Sequence, residues 1–242
     1  MCTNPSLPSR RDVLRSLALT GAAGLAATAV PSALQAMSGH AATARGFAPA
    51  PTTPTEALEM LYQGNARFVG GKITAPHRNM ERLKEVASGQ KPFAAFLGCA
   101  DSRVPIEIVF DQGFGDVFVT RIAGNVADPA IIGSLEFGVE VLGAQVLYVL
   151  GHSKCGAVSA TLKGDAVPGQ ISTLYQHIRR AAKESGGNLD VAIRRNVEIQ
   201  AEILSEASPV LAKRIAEKTL IIAGGVYDLE SGKVTPVALP VR

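Results

Sequence analysis

The chain alternates between two kinds of hydrophobic pattern. Apolar runs of strand length occupy residues 92–97, 117–121, 145–150 and 219–226, and the first, third and fourth read as strands buried on both faces. Between them lie stretches with apolar positions at helical spacing. Residues 56–68 place Ala57, Leu58, Leu61 and Tyr62 on one face, and residues 129–142 do the same with Ile131, Ile132, Leu135, Val139 and Leu142. Residues 173–184 and 190–206 are predicted as amphipathic helices, separated by Ser185-Gly186-Gly187-Asn188, and shorter helices are predicted at 80–87, 105–110, 155–162 and 212–217. Thr55 is the predicted cap of the first helix and Gly70-Gly71 its stop, while Asp128-Pro129 pairs a cap residue with a proline at the first helical position. A turn at Glu230-Ser231-Gly232 precedes a possible edge strand at 234–239. Strands alternating with helices predict an α/β fold, a mainly parallel central sheet flanked by helices on both faces.

The N-terminal pattern is different. Ser9-Arg10-Arg11-Asp12-Val13-Leu14-Arg15 resembles a twin-arginine export signal, and the weakly apolar, Ala- and Gly-rich residues 16–36 suit a targeting segment better than a Leu/Ile-rich membrane span. An uncleaved anchor helix is the alternative. Cleavage is expected after Ala36 or a few residues later, which predicts a periplasmic or secreted protein without stable membrane association. Residues 37–54, rich in Ala, Pro, Thr and Gly, read as a linker, leaving residues 55–242 as the catalytic domain.

Composition narrows this further. With 242 residues and 47% apolar content the chain can bury a sizeable core, which excludes wholesale disorder. The net charge of +3 is partly a property of residues 1–36, where Arg10, Arg11 and Arg15 outnumber Asp12; the remainder carries about +1. No basic patch with interleaved aromatics is present, so nothing points to a nucleic-acid partner.

Two of the buried runs end in metal-binding chemistry. The first leads into Cys99-Ala100-Asp101-Ser102-Arg103 and the third into Gly151-His152-Ser153-Lys154-Cys155-Gly156. In open α/β sheets ligands collect outside the C-terminal ends of the strands. Cys99, His152 and Cys155 make a Cys2His set that suits zinc and leaves a fourth position open, as catalytic zinc sites do. The sequence has three cysteines, the third being Cys2, so a Cys99–Cys155 disulfide is the competing assignment. It leaves Asp101, Arg103 and His152 without a role. The start of a helix beside Cys155 favours thiolate over thiol.

Cys-x-Asp-x-Arg followed by His-x-x-Cys-Gly resembles the β-class carbonic anhydrases. The intervening Gly115-Asp116-Val117-Phe118-Val119-Thr120-Arg121, Ala123-Gly124-Asn125 and Ser134-Leu135-Glu136-Phe137 agree, so the resemblance covers roughly residues 55–240. It implies one zinc ion per subunit and reversible hydration of carbon dioxide to bicarbonate and a proton. Zinc-bound hydroxide would be the nucleophile, oriented by Asp101, which Arg103 holds. It also implies a second state in which Asp101 becomes the fourth metal ligand. Gln90, Phe118, Ala123 and Phe137 match substrate-pocket positions, Phe137 standing where tyrosine is common. Apart from the resemblance, the two phenylalanines read as core packing. An N-terminal helix crossing onto a neighbour implies a homodimer or dimer of dimers.

Two departures are visible. Ile122 replaces an asparagine common after the arginine, and the chain has no tryptophan for the Trp–Arg–Tyr bicarbonate pocket of one branch, although Arg121 occupies the arginine position. His40, His77 and His177 lie in a linker, a turn and a helix, and carry no ligand signal. Hydrolysis of carbon disulfide or carbonyl sulfide is the alternative activity, and a non-catalytic structural zinc protein the alternative class.

Overall fold

The structure is a computed structural model that describes residues 50–240. Residues 1–36 with their export-signal pattern and Cys2, the linker as far as residue 49 with His40, and residues 241–242 lie outside the described residues.

The first helix, α1 (Pro54–Val69), starts two residues earlier than the apolar pattern indicates. Its cap is Thr53, not Thr55. Thr53 accepts from the Glu56 amide while the Glu56 carboxylate reaches back to the cap, a capping box completed by Pro54 at the first helical position. The helix α2 (Met80–Glu85), capped by Asn79, runs into a 3-10 turn at Val86–Ser88. There follow β1 (Ala94–Gly98), the single-turn α3 (Ile106–Val109) and β2 (Val117–Arg121).

Asp128 caps α4 (Pro129–Glu136) as its Asp-Pro sequence predicts, but the α-helix does not reach Leu142. A π-helical turn, Phe137–Val141, takes over. Within it Gly138 lies under the Phe118 ring, where a Cβ would come within 2.8 Å. The remaining elements are β3 (Val146–His152), α5 (Gly156–Lys163), α6 (Ser172–Glu184), α7 (Leu189–Ala207), α8 (Pro209–Ala216), β4 (Ile221–Tyr227) and β5 (Val234–Pro236).

The five strands are ordered β2-β1-β3-β4-β5, all parallel except β5, which pairs antiparallel with β4. The predicted α/β class with a mainly parallel sheet is therefore observed. Every residue of β1 and β3 is buried, as strands covered on both faces must be. Alternate residues serve two cores. Ala94, Phe96, Val146, Tyr148 and Leu150 pack with Ala57 and Leu61 of α1 and with Ile106, Val109 and Phe110. The rings of Phe96, Phe110 and Tyr148 lie 5.0–5.5 Å apart in tilted and edge arrangements. On the opposite face Ala95, Leu97, Leu147 and Val149 pack against α4, α7 and α8. A third, smaller cluster gathers at the C-terminal ends of the strands and contains Cys99, Cys155, Val126, Val158, Ile178, Ala192 and Ile193.

Candidate metal centre

The register brings the site together. Gly98 pairs with Leu150, so Cys99, the next residue after β1, emerges beside His152 at the end of β3. The chain then turns through Ser153 and Lys154, the latter in the left-handed region, and Cys155 stands at the N-terminus of α5. The Ser153 amide donates to Tyr227 O at 2.8 Å and its hydroxyl accepts from the Leu229 amide at 3.0 Å, tying this turn to the end of β4. One ligand atom from each of Cys99, His152 and Cys155 lies within 4.8 Å of the other two, and all three residues are buried. That is the scale of a tetrahedral site with bonds of about 2.0–2.3 Å.

The donors fit a metal on two further observations. Nδ1 of His152 hydrogen-bonds Ser153 O at 2.9 Å, which leaves the lone pair on Nε2. Nε2 itself is buried without a hydrogen-bond partner in a residue that is 0% exposed. A buried polar atom left unpaired is costly, and a metal ion answers it. The thiols are the second observation. The hydrogen bond from Cys155 pulls the Cys99 thiol down, helped by His152 and the Gly124 amide against the opposing effect of burial. Giving that hydrogen bond, with burial, pushes Cys155 up. Thiols must lose their protons to ligate, so a cation held here would bind with proton release.

Asp101 stands beside this cluster. Arg103 takes both carboxylate oxygens, Nε to Oδ1 at 2.9 Å and a terminal nitrogen to Oδ2 at 2.8 Å, and its backbone amide also donates to Oδ1. These bonds, from the Arg103 side chain first, hold the carboxyl well below the usual carboxylate range. Oδ2 lies 3.9 Å from His152 Nε2. Asp101 is thus gripped by the arginine and is separate from the three clustered donors.

The family comparison adds the deciding observation. The family model described as Carbonic anhydrase matches residues 94–234, from the first residue of β1 to the first of β5. The chain belongs to the β-class carbonic anhydrase family. Carbonic anhydrase 2 of Mycobacterium tuberculosis is 39% identical over 190 residues, 75% of this chain and 92% of the relative. A carbonic anhydrase of Mycolicibacterium smegmatis is 37% identical over 76% and 93%. Among solved structures, a tetrameric β-carbonic anhydrase from the ascomycete Sordaria macrospora superposes with a TM-score of 0.62 at 25% identity, covering 75% of this chain and 96% of that one.

The four pocket positions expected of a β-carbonic anhydrase fall in three places. Ala123 is half-buried next to Gly124, whose amide donates to Cys99 Sγ at 3.3 Å, so it borders the donor cluster. Phe118 and Phe137 face each other at 6.3 Å. Phe118 is in register with Ala95, four residues and about 13 Å back along the sheet from Cys99. Gln90 is exposed and precedes β1, at the end of the strand away from Cys99.

Sequence reasoning passed over Arg121 as a structural member of the site. Its Nε donates to Cys99 O at 2.9 Å and a terminal nitrogen to Asp101 O at 2.5 Å, spanning both functional residues. Ile122, where the family asparagine is missing, packs into the hydrophobic clusters instead, while its backbone continues the ladder to Gly98 and Ala100. His77 is not idle either: it bonds Asp116 at 2.6 Å.

Proposed function

We propose that the protein is a zinc enzyme that hydrates carbon dioxide reversibly to bicarbonate and a proton. The observation that carries this is the buried, unpartnered Nε2 of His152 between two cysteine sulfurs, with the Asp101–Arg103 pair alongside. Cys99, His152 and Cys155 would hold the zinc, which would supply a Lewis acid able to bring the pKa of a coordinated water towards about 7.

The protein's own groups do the rest. Asp101, kept anionic by Arg103, has oxygen lone pairs to accept a hydrogen bond from the attacking water and so aim it at the carbon. Arg103 fills both lone-pair directions of Oδ1 and one of Oδ2, which fixes the carboxylate and leaves Oδ2 able to accept. Ala123 contributes a small apolar surface, suited to a substrate that is uncharged and makes few hydrogen bonds. Gln90 and the half-exposed Phe137 can serve such a pocket across an interface between two copies of the chain, which supports a homodimer or dimer of dimers. Export rests on the twin-arginine pattern alone: Ser9-Arg10-Arg11 and the Ala-rich residues 16–36 favour a periplasmic or secreted enzyme. No helix among the described residues is long and apolar enough to cross a membrane.

Stopped-flow hydration of carbon dioxide by zinc-loaded protein from about pH 6.5 to 9 brackets the ionisation of such a water. Activity rising with pH is the expected result. A buffer-level rate throughout, with zinc bound, would overturn the assignment.

A further inference from the structure

Two buried amides reach the metal centre from behind. Asn196 and Gln200 sit one turn apart on α7 and are 1% and 0% exposed, inside an otherwise apolar stripe with Ala192, Ile193 and Val197. Burying two primary amides is costly unless their hydrogen bonds are met, so a stripe that retains them invites the question of what they hold.

They hold the loop after β2. Gln200 Oε1 accepts from the Ala127 amide at 2.8 Å, and its Nε2 donates to Asn196 Oδ1 at 3.1 Å and to His177 O at 3.3 Å. That leaves Nδ2 of Asn196 as the donor to Gly124 O at 2.9 Å. One orientation of both amides satisfies the whole chain of bonds, so the two side chains are locked together. Gly124 is the residue whose own amide donates to Cys99 Sγ. It has φ +76, and a Cβ there would meet Ile178 at 2.6 Å and Ala157 at 3.3 Å, so the backbone is pressed into a slot only glycine enters. The neighbouring Asn125 is also left-handed, at φ 44. Two consecutive residues of this kind leave the loop no β-ladder to define it beyond Ile122.

We propose that Asn196 and Gln200 are positioning residues for the metal-ligand sulfur of Cys99. They hold the loop at the Gly124 carbonyl and the Ala127 amide, and so fix the residue whose N–H points at the sulfur, and thereby set the electron donation of that ligand. Neither residue touches the reacting groups. The inference rests on the assignment of Cys99 as a zinc ligand.

Cobalt(II) substitution tests it, because thiolate-to-cobalt charge-transfer absorption reports the sulfur directly. In Asn196→Leu and in Gln200→Met, each of similar volume to the residue replaced, the band is expected to move to longer wavelength than in the wild type. Zinc release to a competing chelator should be about 10-fold easier, the usual scale for outer-shell partners of a metal ligand. Leu204→Ala, a buried α7 position in the main core, serves as the control: lower melting temperature, unmoved band. A folded Asn196→Leu or Gln200→Met protein with the wild-type band and wild-type zinc release would overturn the proposal. So would an equal shift in Leu204→Ala, since the band would then report general loosening. A wild-type protein that binds cobalt without any charge-transfer band would instead remove both cysteines as ligands, a failure separable from that of the positioning role.

Discussion

Arg103 holds both oxygens of Asp101, and the carboxylate so held stands 3.9 Å from Nε2 of His152. The pair therefore combines two properties that an isolated surface ion pair lacks: a fixed direction and a place beside a buried ligand cluster. The bidentate geometry is what an arginine supplies and a lysine does not.

Asp101→Asn keeps the size of the side chain but replaces one acceptor oxygen by a donor. Zinc content should stay at one per chain while turnover falls by about 100-fold, the scale of lost orientation at a reacting centre. Metal analysis and stopped-flow rates on the same preparation check this, and near-wild-type turnover would eliminate the dyad.

Arg121 bridges Cys99 O and Asp101 O, so it ties the backbone of the Cys99 donor to that of Asp101. Arg121→Lys retains the charge but cannot span both carbonyls. We expect it to lose most of the activity that Arg121→Ala loses, about 10-fold or more. If lysine restores full turnover, charge rather than the double hydrogen bond is what matters.

Cys155→Ser should release zinc and lower the melting temperature. Metal bound only by the folded state stabilises by about 4 kcal/mol at 1,000 times its dissociation constant. A chelator should therefore destabilise the wild type strongly and the variant hardly at all. Equal chelator effects in calorimetry would contradict the ligand assignment.

Asp111 anchors the segment between α1 and α2. Its side chain is fully buried and accepts from Arg67 Nε at 2.7 Å, from the amide and hydroxyl of Thr74, both at 2.9 Å, and from the Ala75 amide at 2.9 Å. Burial pushes the carboxyl up, but these donors outweigh it and the net shift is downward. The folded pKa lies below the unfolded value of ~3.9, so the stabilisation is complete above that pH and drains away as pH falls through the folded value. Asp111→Asn should cost about 2 kcal/mol at pH 7, and the gap to the wild type should narrow below about pH 4 in denaturant titrations. A gap constant down to pH 3 would exclude the ionised carboxylate as its source.

Gly64 lies within α1, where alanine would ordinarily gain about 1 kcal/mol of helix propensity. Here a Cβ would stand 1.9 Å from Phe110 O and 2.7 Å from Phe110 C, backbone atoms that cannot step aside. Gly64→Ala is expected to be destabilising by about 2 kcal/mol or more, the clash exceeding the propensity gain. Thermal unfolding decides it, and a raised melting temperature would refute the close approach.

Much of the molecule was legible along the chain because the signals are local. Among the described residues, strand-length runs and helical spacing located every strand and α-helix, all but the end of α4 to within three residues, and Cys99, His152 and Cys155 lie at or just after strand ends, where α/β sheets gather ligands. Element boundaries were less legible where the deciding partner lies elsewhere: the capping box moved the start of α1 to Pro54, and Gly138 packs under Phe118 in the π-helical turn that ends α4 early.

The sequence by itself determined the α/β class, the family motif and the three donors with their Asp–Arg neighbour, since each is written in contiguous residues whose period or spacing survives without a fold. Only the tertiary structure decided the strand order that sets β1 beside β3 and the reach of Arg121, Asn196 and Gln200 towards Cys99. The hydrogen bonds from Arg121, Asn196 and Gln200 to the Cys99–Asp101 segment and to the loop after β2 join residues 20 to 73 positions apart. A hydrogen bond across such a separation leaves no periodicity in the chain: two amides in a helix stripe look like polar interruptions until the loop they hold is folded against them.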